Sequence, residues 1–501
     1  MGVQQKTHRV LGGGGRGEAP KAAGRGAEPM AANPESESPS ACDRLMEEVC
    51  ERENLKQALK RVKSNKGAPG VDGMTVRGLS AYLREHWPSI RSTLLNGTYK
   101  PQPVRRVEIP RPDGGGVRKL GIPSALDRFI QQAVLQVLQR QWDPTFSDSS
   151  YGFRPGRSAH QAVERAQGYI QWGYRWVVDL DLEKFFDRVS HDILMSRVAK
   201  RVSDRRVLKL IRSFLRAGVL QHGLVGATDE GTPQGGPLSP LLSNLMLDDL
   251  DRELERRGLR FVRYADDCNV YVRSDRAGQR VMAGLKAFLT GKLKLKVNEA
   301  KSAVARPHTR KFLGFTFSNR VKARRRIAPK ALARFKDRIR ELTQRTRGVS
   351  ADQMVGTLNR YLTGWRGYFG FCETPSVLQR LDEWVRRRVR CFFWTQWKRG
   401  RTRFRELTAR GVSRDLAAQT AGSPHDAWRL SNGPALQHAL TNRFLRSLGL
   451  PYLYVSSRAT DPNRRVRTRT HGGVGGVGPR GLPLSRFNAD WKLTHISRFL
   501  D

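Results

Sequence analysis

The chain's 501 residues include 91 Lys and Arg against 46 Asp and Glu, a formal net charge of +45 at pH 7. With 38% hydrophobic residues and ten tryptophans, it can bury sizeable cores, which excludes a wholly disordered protein. Its length predicts about three folding units. A soluble surface does not need so large a positive excess. The charge therefore favours a nucleic-acid partner, whose phosphates bind cations and release counterions.

The composition changes along the chain and predicts five segments. Residues 1–42 are rich in Gly, Ala, Pro, Glu and Ser and predict a disordered leader. Residues 43–318 alternate short strands with amphipathic helices, which is typical of a mixed α/β domain. Strand patterns then stop: 319–410 predicts a basic helical domain, 411–455 continues it, and 456–501 predicts a flexible basic tail. The expected fold class is α/β followed by all-α.

The cysteines and the apolar runs bear on the compartment. The five cysteines include no Cys-x-x-Cys pair, so neither a zinc ribbon nor a disulfide framework is expected. There is no signal-peptide core and no run of about 18 apolar residues. We expect reduced thiols, no membrane partner, and a cytoplasmic protein that joins the nucleoid when it binds DNA.

The sequence Tyr264-Ala-Asp-Asp267 lies between two β-prone stretches, Arg260 to Tyr264 and Cys268 to Tyr271. Two strands joined by a tight turn would place Asp266 and Asp267 at a hairpin tip. Adjacent carboxylates repel each other unless a cation lies beside them, and hard divalent metals prefer such oxygen ligands. The alternative is an ordinary Asp-rich turn.

A third acid lies upstream, in the stretch from Trp176 to Asp187. Asp179 and Asp181 share one face of a predicted strand whose other face is apolar. Acids at the end of a buried strand need a compensating cation. We therefore predict that Asp181, Asp266 and Asp267 hold two Mg²⁺ ions, which would clamp the attacking and leaving oxygens of a phosphoryl displacement.

Apolar and aromatic residues recur at helical spacing from Leu358 to Tyr368 and from Val377 to Phe392. Such stripes more often form a core than a base-stacking platform. Cations on the opposite helix faces are the better candidates for phosphate contact. The predicted RNA-binding residues are Arg386, Arg387, Arg388 and Arg390.

Residues from about 50 to 450 resemble bacterial group II intron reverse transcriptases, which are intron-encoded proteins that also act as maturases. The blocks that carry the resemblance occur in the family's order: 63–73, 118–123 with 127–128, 151–158, 179–187, 231–240, 264–267, 295–301, 312–315, 358–370 and 428–432. The resemblance implies a right-hand polymerase with fingers and palm at 43–318. It also implies a thumb and maturase (X) domain at 319–410 and a maturase or DNA-binding-like region at 411–455.

The resemblance also assigns roles around the nucleotide. It selects Asp181 over Asp179 as a metal ligand, because Asp181 lies five residues ahead of Phe186, the implied aromatic gate against a ribose 2′-hydroxyl. Phe186 could instead be a core residue beside Phe185. The resemblance implies six further nucleotide contacts. Lys119, Arg118 and Arg128 would bind the triphosphate, and Gln234 would make a polar contact. Gly235 would let the backbone approach the nucleotide closely, and Lys301 would help to protonate the pyrophosphate.

The implied function is RNA-directed DNA synthesis, a nucleotidyl transfer that copies intron RNA into DNA, together with assistance to splicing and mobility. The implied partners are intron RNA, a DNA target and primer, and deoxynucleoside triphosphates. No cluster of paired Cys and His follows Cys391, so we expect no cleavage of target DNA by this chain. Two alternatives stay open: a reverse transcriptase of a defence or diversity-generating system, and a splicing maturase without polymerase activity.

Overall fold

The computed structural model covers most of the chain between the two predicted terminal segments. It describes residues 44–110, 117–221, 224–226, 230–232, 235–344 and 347–455. The predicted leader, 1–42, and the predicted tail, 456–501, lie outside these ranges. Within them, no helix combines the length and apolarity needed to cross a membrane. The four cysteines in these ranges are free thiols.

The first part of the chain is helical and ends in a small sheet. Its elements are α1 (Leu45–Val49), α2 (Arg52–Ser64), α3 (Leu79–Leu95), β1 (Val104–Pro110), β2 (Val117–Ile122) and α4 (Ala125–Trp142). Helix α4 begins at Ala125 because the Ser124 hydroxyl accepts a hydrogen bond from the backbone N–H of Asp127 and so caps the helix. Two later strands complete the sheet in the order β2-β1-β4-β5, namely β4 (Val219–Gln221) and β5 (Leu224–Gly226).

The second part is built on a four-stranded antiparallel sheet in the order β6-β7-β3-β8, called here the palm sheet. Its strands are β3 (Trp176–Leu180), β6 (Arg260–Tyr264), β7 (Asp267–Val272) and β8 (Ala303–Ala305). The helices in this part are α5 (Ala159–Gln171), α6 (Phe185–Arg188), α7 (His191–Ala199), α8 (Arg205–Arg216), α9 (Ser239–Arg256) and α10 (Asp275–Phe288). The β-prone stretches from Arg260 to Tyr264 and from Cys268 to Tyr271 are confirmed as β6 and β7, and the predicted strand with Asp179 is confirmed as β3, which Asp181 directly follows.

The palm sheet separates two hydrophobic cores, because side chains alternate between its faces. Val178 and Leu180 of β3 pack into one core together with α4, α7, α8 and α9. Val177 and Tyr271 face the opposite way, into a core that includes α5 and the helices after residue 328. Asp179 of β3, and Asp181 directly after it, therefore lie on the same face of the sheet as Val177.

The last part is a short hairpin followed by helices. The hairpin is β9 (Phe315–Phe317) with β10 (Arg325–Ile327). The helices are α11 (Pro329–Leu342), α12 (Ala351–Phe369), α13 (Pro375–Gln396), α14 (Gly400–Ala409), α15 (Arg414–Ala421), α16 (Ala427–Leu430), α17 (Pro434–Ala439) and α18 (Asn442–Ser447). The expectation that strands stop at 318 is wrong, since β10 pairs with β9 across that boundary. A three-residue strand is too short to show an alternating pattern.

The structure also corrects the prediction that the arginines of α13 face outward. The Arg386 side chain is only 2% exposed and donates to Asp382 Oδ1 at 2.9 Å, and Arg390 is buried and donates to the Leu440 carbonyl at 2.9 Å. Arg387 and Arg388 are half-buried. Arg387 donates to the Trp428 carbonyl at 2.9 Å. Arg387 and Arg390 thus bond to residues 427–455, which cover the face that the apolar stripe leaves open, whereas Arg388 donates to Thr343 Oγ1.

Candidate active site

The predicted hairpin with two carboxylates is confirmed. Tyr264 at the end of β6 pairs with Asp267 at the start of β7, and Ala265 and Asp266 form the two-residue turn between them. Ala265 has a φ of +58°, the left-handed conformation that such tight turns require. The turn therefore presents Asp266 at its tip and Asp267 one residue inside the strand.

Strand register brings the third predicted acid to the same end of the palm sheet. β3 runs antiparallel to β7 with Leu180 opposite Cys268, so Asp181 and Asp267 are the next residues in line at that end. Because side chains alternate, Asp179, Asp181 and Asp267 lie on one face of the sheet. Asp181, Asp266 and Asp267, the three predicted metal ligands, thus lie at the same end of the neighbouring strands β3 and β7.

The backbone of Asp181 is held by the turn that precedes β8. Its N–H donates to Ser302 Oγ at 3.0 Å, and its carbonyl accepts from the N–H of Asn298 at 2.8 Å. The same turn places Lys301 Nζ 3.8 Å from Asp181 Oδ2. Lys301, predicted to act on pyrophosphate, therefore lies beside a predicted metal ligand.

The acids at this end of the sheet differ in whether a cation lies beside them. Asp179 is buried, which raises its pKa, but it already has a countercharge in Arg310, with which it forms an ion pair at 2.6 Å. Asp267 has a pKa well above its usual range. The cause is first its loss of hydration and then repulsion from the neighbouring carboxylates, namely Asp179, Asp266 and Asp181. This electrostatic difference favours Asp181 over Asp179 as a ligand and favours a cation beside Asp267.

The carboxylates at this site fit a metal ion that takes its remaining ligands from water and from the phosphates of the substrate. In the part of the chain that the structure describes, no group of three His, Cys, Asp or Glu side chains is arranged to hold a metal ion by itself. Mg²⁺ is usually held by one or two carboxylates together with waters and substrate phosphates rather than by an all-protein cage. Asp181, Asp266 and Asp267 would be the residues that hold such an ion.

A buried arginine that was not singled out from the sequence supports the hairpin tip. Arg263 of β6 is fully buried and forms an ion pair with the equally buried Asp251, with Nε to Oδ1 at 2.7 Å. Its other N–H groups donate to the Ala265 carbonyl at 2.9 Å, to Asn244 Oδ1 and to Ser150 Oγ. The sequence does show a charged residue within an apolar strand, which indicates that Arg263 needs a buried partner. It does not show that this partner is Asp251 on α9.

A glycine packs directly against the carboxylate hairpin, and we expect Gly152→Ala to disrupt it. An added Cβ would lie against the backbone N of Ala265 and 2.9 Å from the Tyr264 carbonyl carbon, where no flexible side chain can yield. Overpacking of this kind costs about 1–3 kcal/mol, and we expect at least a tenfold loss of primer extension from the displaced acids. Thermal unfolding and extension assays would measure both.

The matched control is Gly168→Ala in α5, where a Cβ would meet nothing within 4 Å. That variant should unfold at the same temperature or higher, because Ala favours helix over Gly by up to about 1 kcal/mol. Equal activity for the two variants would contradict the packing argument.

The structure brings two predicted nucleotide contacts near each other. Gly235 has a φ of +135°, and a Cβ there would collide with the carbonyl of Gly121 on β2. Gly121 shares a strand face with Lys119, which is exposed. Gln234 and the side chain of Arg118 lie outside the described residues. Gly235 therefore meets the strand that carries Lys119.

Arg128 does not face open space, which corrects its predicted triphosphate contact. It is 9% exposed, and its Nη2 donates to the Ala68 carbonyl at 2.8 Å. Burial lowers its pKa. In this structure Arg128 anchors the loop at 66–70 to α4 instead. Phe186 is half-buried and packs edge-on against Phe185 with ring centroids 5.3 Å apart, an arrangement compatible with either a gate or a core role.

Comparisons with known proteins agree with this geometry. Residues 109–317 match the family described as reverse transcriptase (RNA-dependent DNA polymerase), and residues 332–411 match the group II intron, maturase-specific domain. Protein YkfC of Escherichia coli (strain K12) is 35% identical over 314 residues, which cover 55% of this chain and 81% of YkfC.

Two further relatives are named for introns. The group II intron-encoded protein LtrA of Lactococcus lactis subsp. cremoris is 38% identical over 206 residues, 41% of this chain and 34% of LtrA. The putative COX1/OXI3 intron 2 protein of Saccharomyces cerevisiae is 33% identical over 204 residues, 40% of this chain and 23% of that protein. The alignments thus span about a third or less of these intron-named relatives. The two domain matches and the YkfC alignment nevertheless show that this chain belongs to the family of group II intron-encoded reverse transcriptases and maturases.

Proposed function

We propose that this chain is an RNA-directed DNA polymerase that copies group II intron RNA into DNA and binds that RNA to assist splicing and mobility. The observation that carries the proposal is the meeting of Asp181, Asp266 and Asp267 at one end of the palm sheet. The maturase-specific match at 332–411 favours an intron role over a defence or diversity-generating role. The three acids favour an active polymerase over a maturase that has lost that activity.

The proposed cofactor is a pair of Mg²⁺ ions, which when bound would stabilise the charge that develops on the transferring phosphate. The chain's own residues would do the rest. Lys301, beside Asp181, would place a positive charge near the pyrophosphate, and Lys119 would hold the triphosphate. Gly235 would allow close approach of the nucleotide because it has no side chain, and its backbone packs against the Gly121 carbonyl on the strand that carries Lys119.

The remaining assignments follow from the same proposal. We assign fingers and palm to 43–318, thumb and maturase domain to 319–410, and a maturase or DNA-binding-like region to 411–455. The substrates would be deoxynucleoside triphosphates, a DNA primer supplied from elsewhere, and a DNA target. Purified chain should extend an annealed DNA primer on an RNA template when Mg²⁺ is present and should promote splicing of its intron. Extension without any divalent metal would contradict the proposed chemistry.

We predict that Phe186→Ala admits ribonucleotides. Removing the ring would open room for a 2′-hydroxyl without touching the carboxylates, so the preference for deoxy over ribo substrates should fall roughly tenfold or more. Deoxynucleotide use should fall only modestly. Single-nucleotide extension with matched deoxy and ribo triphosphates would measure the preference.

Phe185→Leu is the control for this variant, because Phe185 is buried beside Phe186 and shortening it costs stability without opening the proposed gate. An unchanged sugar preference in Phe186→Ala, with normal folding, would assign Phe186 to the core.

A further inference from the structure

The end of the palm sheet opposite the carboxylates carries an unassigned group of arginines. Arg175 immediately precedes β3, Arg273 immediately follows β7, and Arg306 immediately follows β8. The Arg306 guanidinium donates to the Arg175 carbonyl at 3.4 Å, which holds two of them together. Because β3 spans five residues, these arginines lie roughly 17 Å from the carboxylate end. They therefore lie too far away to touch a nucleotide at the active site.

Aromatic rings alternate with the arginines at this end. Trp172, just after α5, is 60% exposed. The Arg165 guanidinium lies 5.6 Å from its ring centroid. Arg273 lies 5.4 Å from the ring of Tyr174, and Arg306 lies 4.4 Å from the ring of Trp176. Cation–π contacts hold these cations at the surface beside the rings.

The positive charge here is not neutralised by the chain itself. Among the described residues, no carboxylate lies within ion-pair distance of the exposed arginines of this edge, namely Arg165, Arg175, Arg273 and Arg306. Exposed arginines elsewhere often have such partners, as Arg256 has in Glu253. The loop between β9 and β10 adds more cations, because Gln171 donates to the Ala323 carbonyl at 3.1 Å and so brings that loop to the end of α5. Its exposed cations are Arg320, Lys322 and Arg324.

We propose that this surface, the basic aromatic edge formed by Arg165, Trp172, Arg175, Arg273 and Arg306, binds single-stranded RNA. A base would stack on the open face of the Trp172 ring, and the arginines around it would contact phosphates. The proposal rests on the proposed function, because the bound strand would be another segment of the RNA that the chain copies or helps to fold.

The chemistry of the edge favours single-stranded RNA over other partners. Arginine and aromatic rings also occur together at protein interfaces, so the rings alone do not decide between partners. What favours RNA is the repeated positive charge of this edge, to which Arg320, Lys322 and Arg324 add, because a nucleic acid offers a matching series of phosphates. A duplex keeps its bases stacked within the helix, so it could not use the Trp172 ring. Single strands offer free base faces together with phosphates, which is the combination that alternating rings and arginines match.

The first test is Trp172→Ala in the full chain, with a fluorescent oligouridylate of about 12 nucleotides as the probe. Loss of one stacking ring should lower affinity roughly fivefold or more. Trp172→Phe keeps a ring and should keep most of the affinity. Because Trp172 is largely exposed, both variants should unfold at the wild-type temperature. Equal affinity for wild type and Trp172→Ala would overturn the proposal.

The second test replaces Arg175, Arg273 and Arg306 together by Gln. Each phosphate contact on a single strand contributes about 0.7 to the slope of log affinity against log salt, so the slope should fall by roughly two units. The control replaces three exposed arginines on α3 and α8, which removes the same charge elsewhere. They are Arg84, Arg91 and Arg216. An equal loss of slope in the control would mean that only the net charge of the chain matters, and it would overturn the proposal.

Further probes identify the ligand and separate this proposal from the polymerase proposal. An RNA duplex should be insensitive to Trp172→Ala, and a larger effect on oligodeoxythymidylate than on oligouridylate would contradict the choice of RNA. A change in self-association without a change in RNA affinity would assign the edge to protein contact instead. Chain carrying Asp266→Ala and Asp267→Ala should bind oligouridylate like wild type, so a failed polymerase assay leaves this test intact.

Discussion

Replacing Asp266 and Asp267 by Ala is expected to abolish Mg²⁺-dependent DNA synthesis on an RNA template. The two acids occupy the turn and first strand position of the carboxylate hairpin, and Asp179 cannot replace them because Arg310 already pairs with it. RNA binding should persist, since removing two negative charges does not weaken attraction to phosphates. Primer extension and filter binding on the same preparation would measure the two activities.

The matched control is the double change Asp352→Ala with Asp415→Ala, which removes two exposed acids from the helical part of the chain. It should extend primers as wild type does. About a tenth or more of wild-type extension in the Asp266 and Asp267 variant would correspond to too small a loss of transition-state stabilisation for two metal ligands. That outcome would contradict the assignment of the metal site.

The carboxylate edge could be predicted from the sequence because it depends on local patterns. A tight turn between two β-prone stretches puts Asp266 and Asp267 at one tip, and alternation along β3 puts Asp181 on a definite face. The pairing of β3 with β7 then brings the acids together, and this pairing joins distant parts of the chain, 176–180 and 268–272. Local rules and topology therefore agree at this site.

The surface of the helical region could not be predicted in the same way. Helical periodicity gives one apolar stripe on α13 and predicts that the other face is exposed to solvent. Arg386 and Arg390 lie on that other face, yet residues 427–455 fold back over it and accept hydrogen bonds from both guanidinium groups, through the Pro451 and Leu440 carbonyls. Whether a charged face is covered depends on contacts between residues about 50 to 70 positions apart, as with Arg386 and the Pro451 carbonyl.

The largest expected effect on stability is that of Arg263→Met. The change leaves Asp251 fully buried without its cation, which typically costs about 3–5 kcal/mol. It also removes the donor to the Ala265 carbonyl, so the turn that carries Asp266 loses its support from α9. We expect a large drop in the urea midpoint and loss of primer extension.

A second change separates the two consequences. Adding Asp251→Leu to Arg263→Met removes the unpaired buried charge and should recover most of the lost stability, since an apolar pair of similar volume can replace a buried ion pair. It cannot restore the hydrogen bond to Ala265, so we expect extension to stay at least tenfold below wild type. If extension recovers together with the urea midpoint, Arg263 acts only on stability. If it stays low in a stably folded chain, Arg263 is a positioning residue that holds the carboxylate hairpin where the metal ligands must meet.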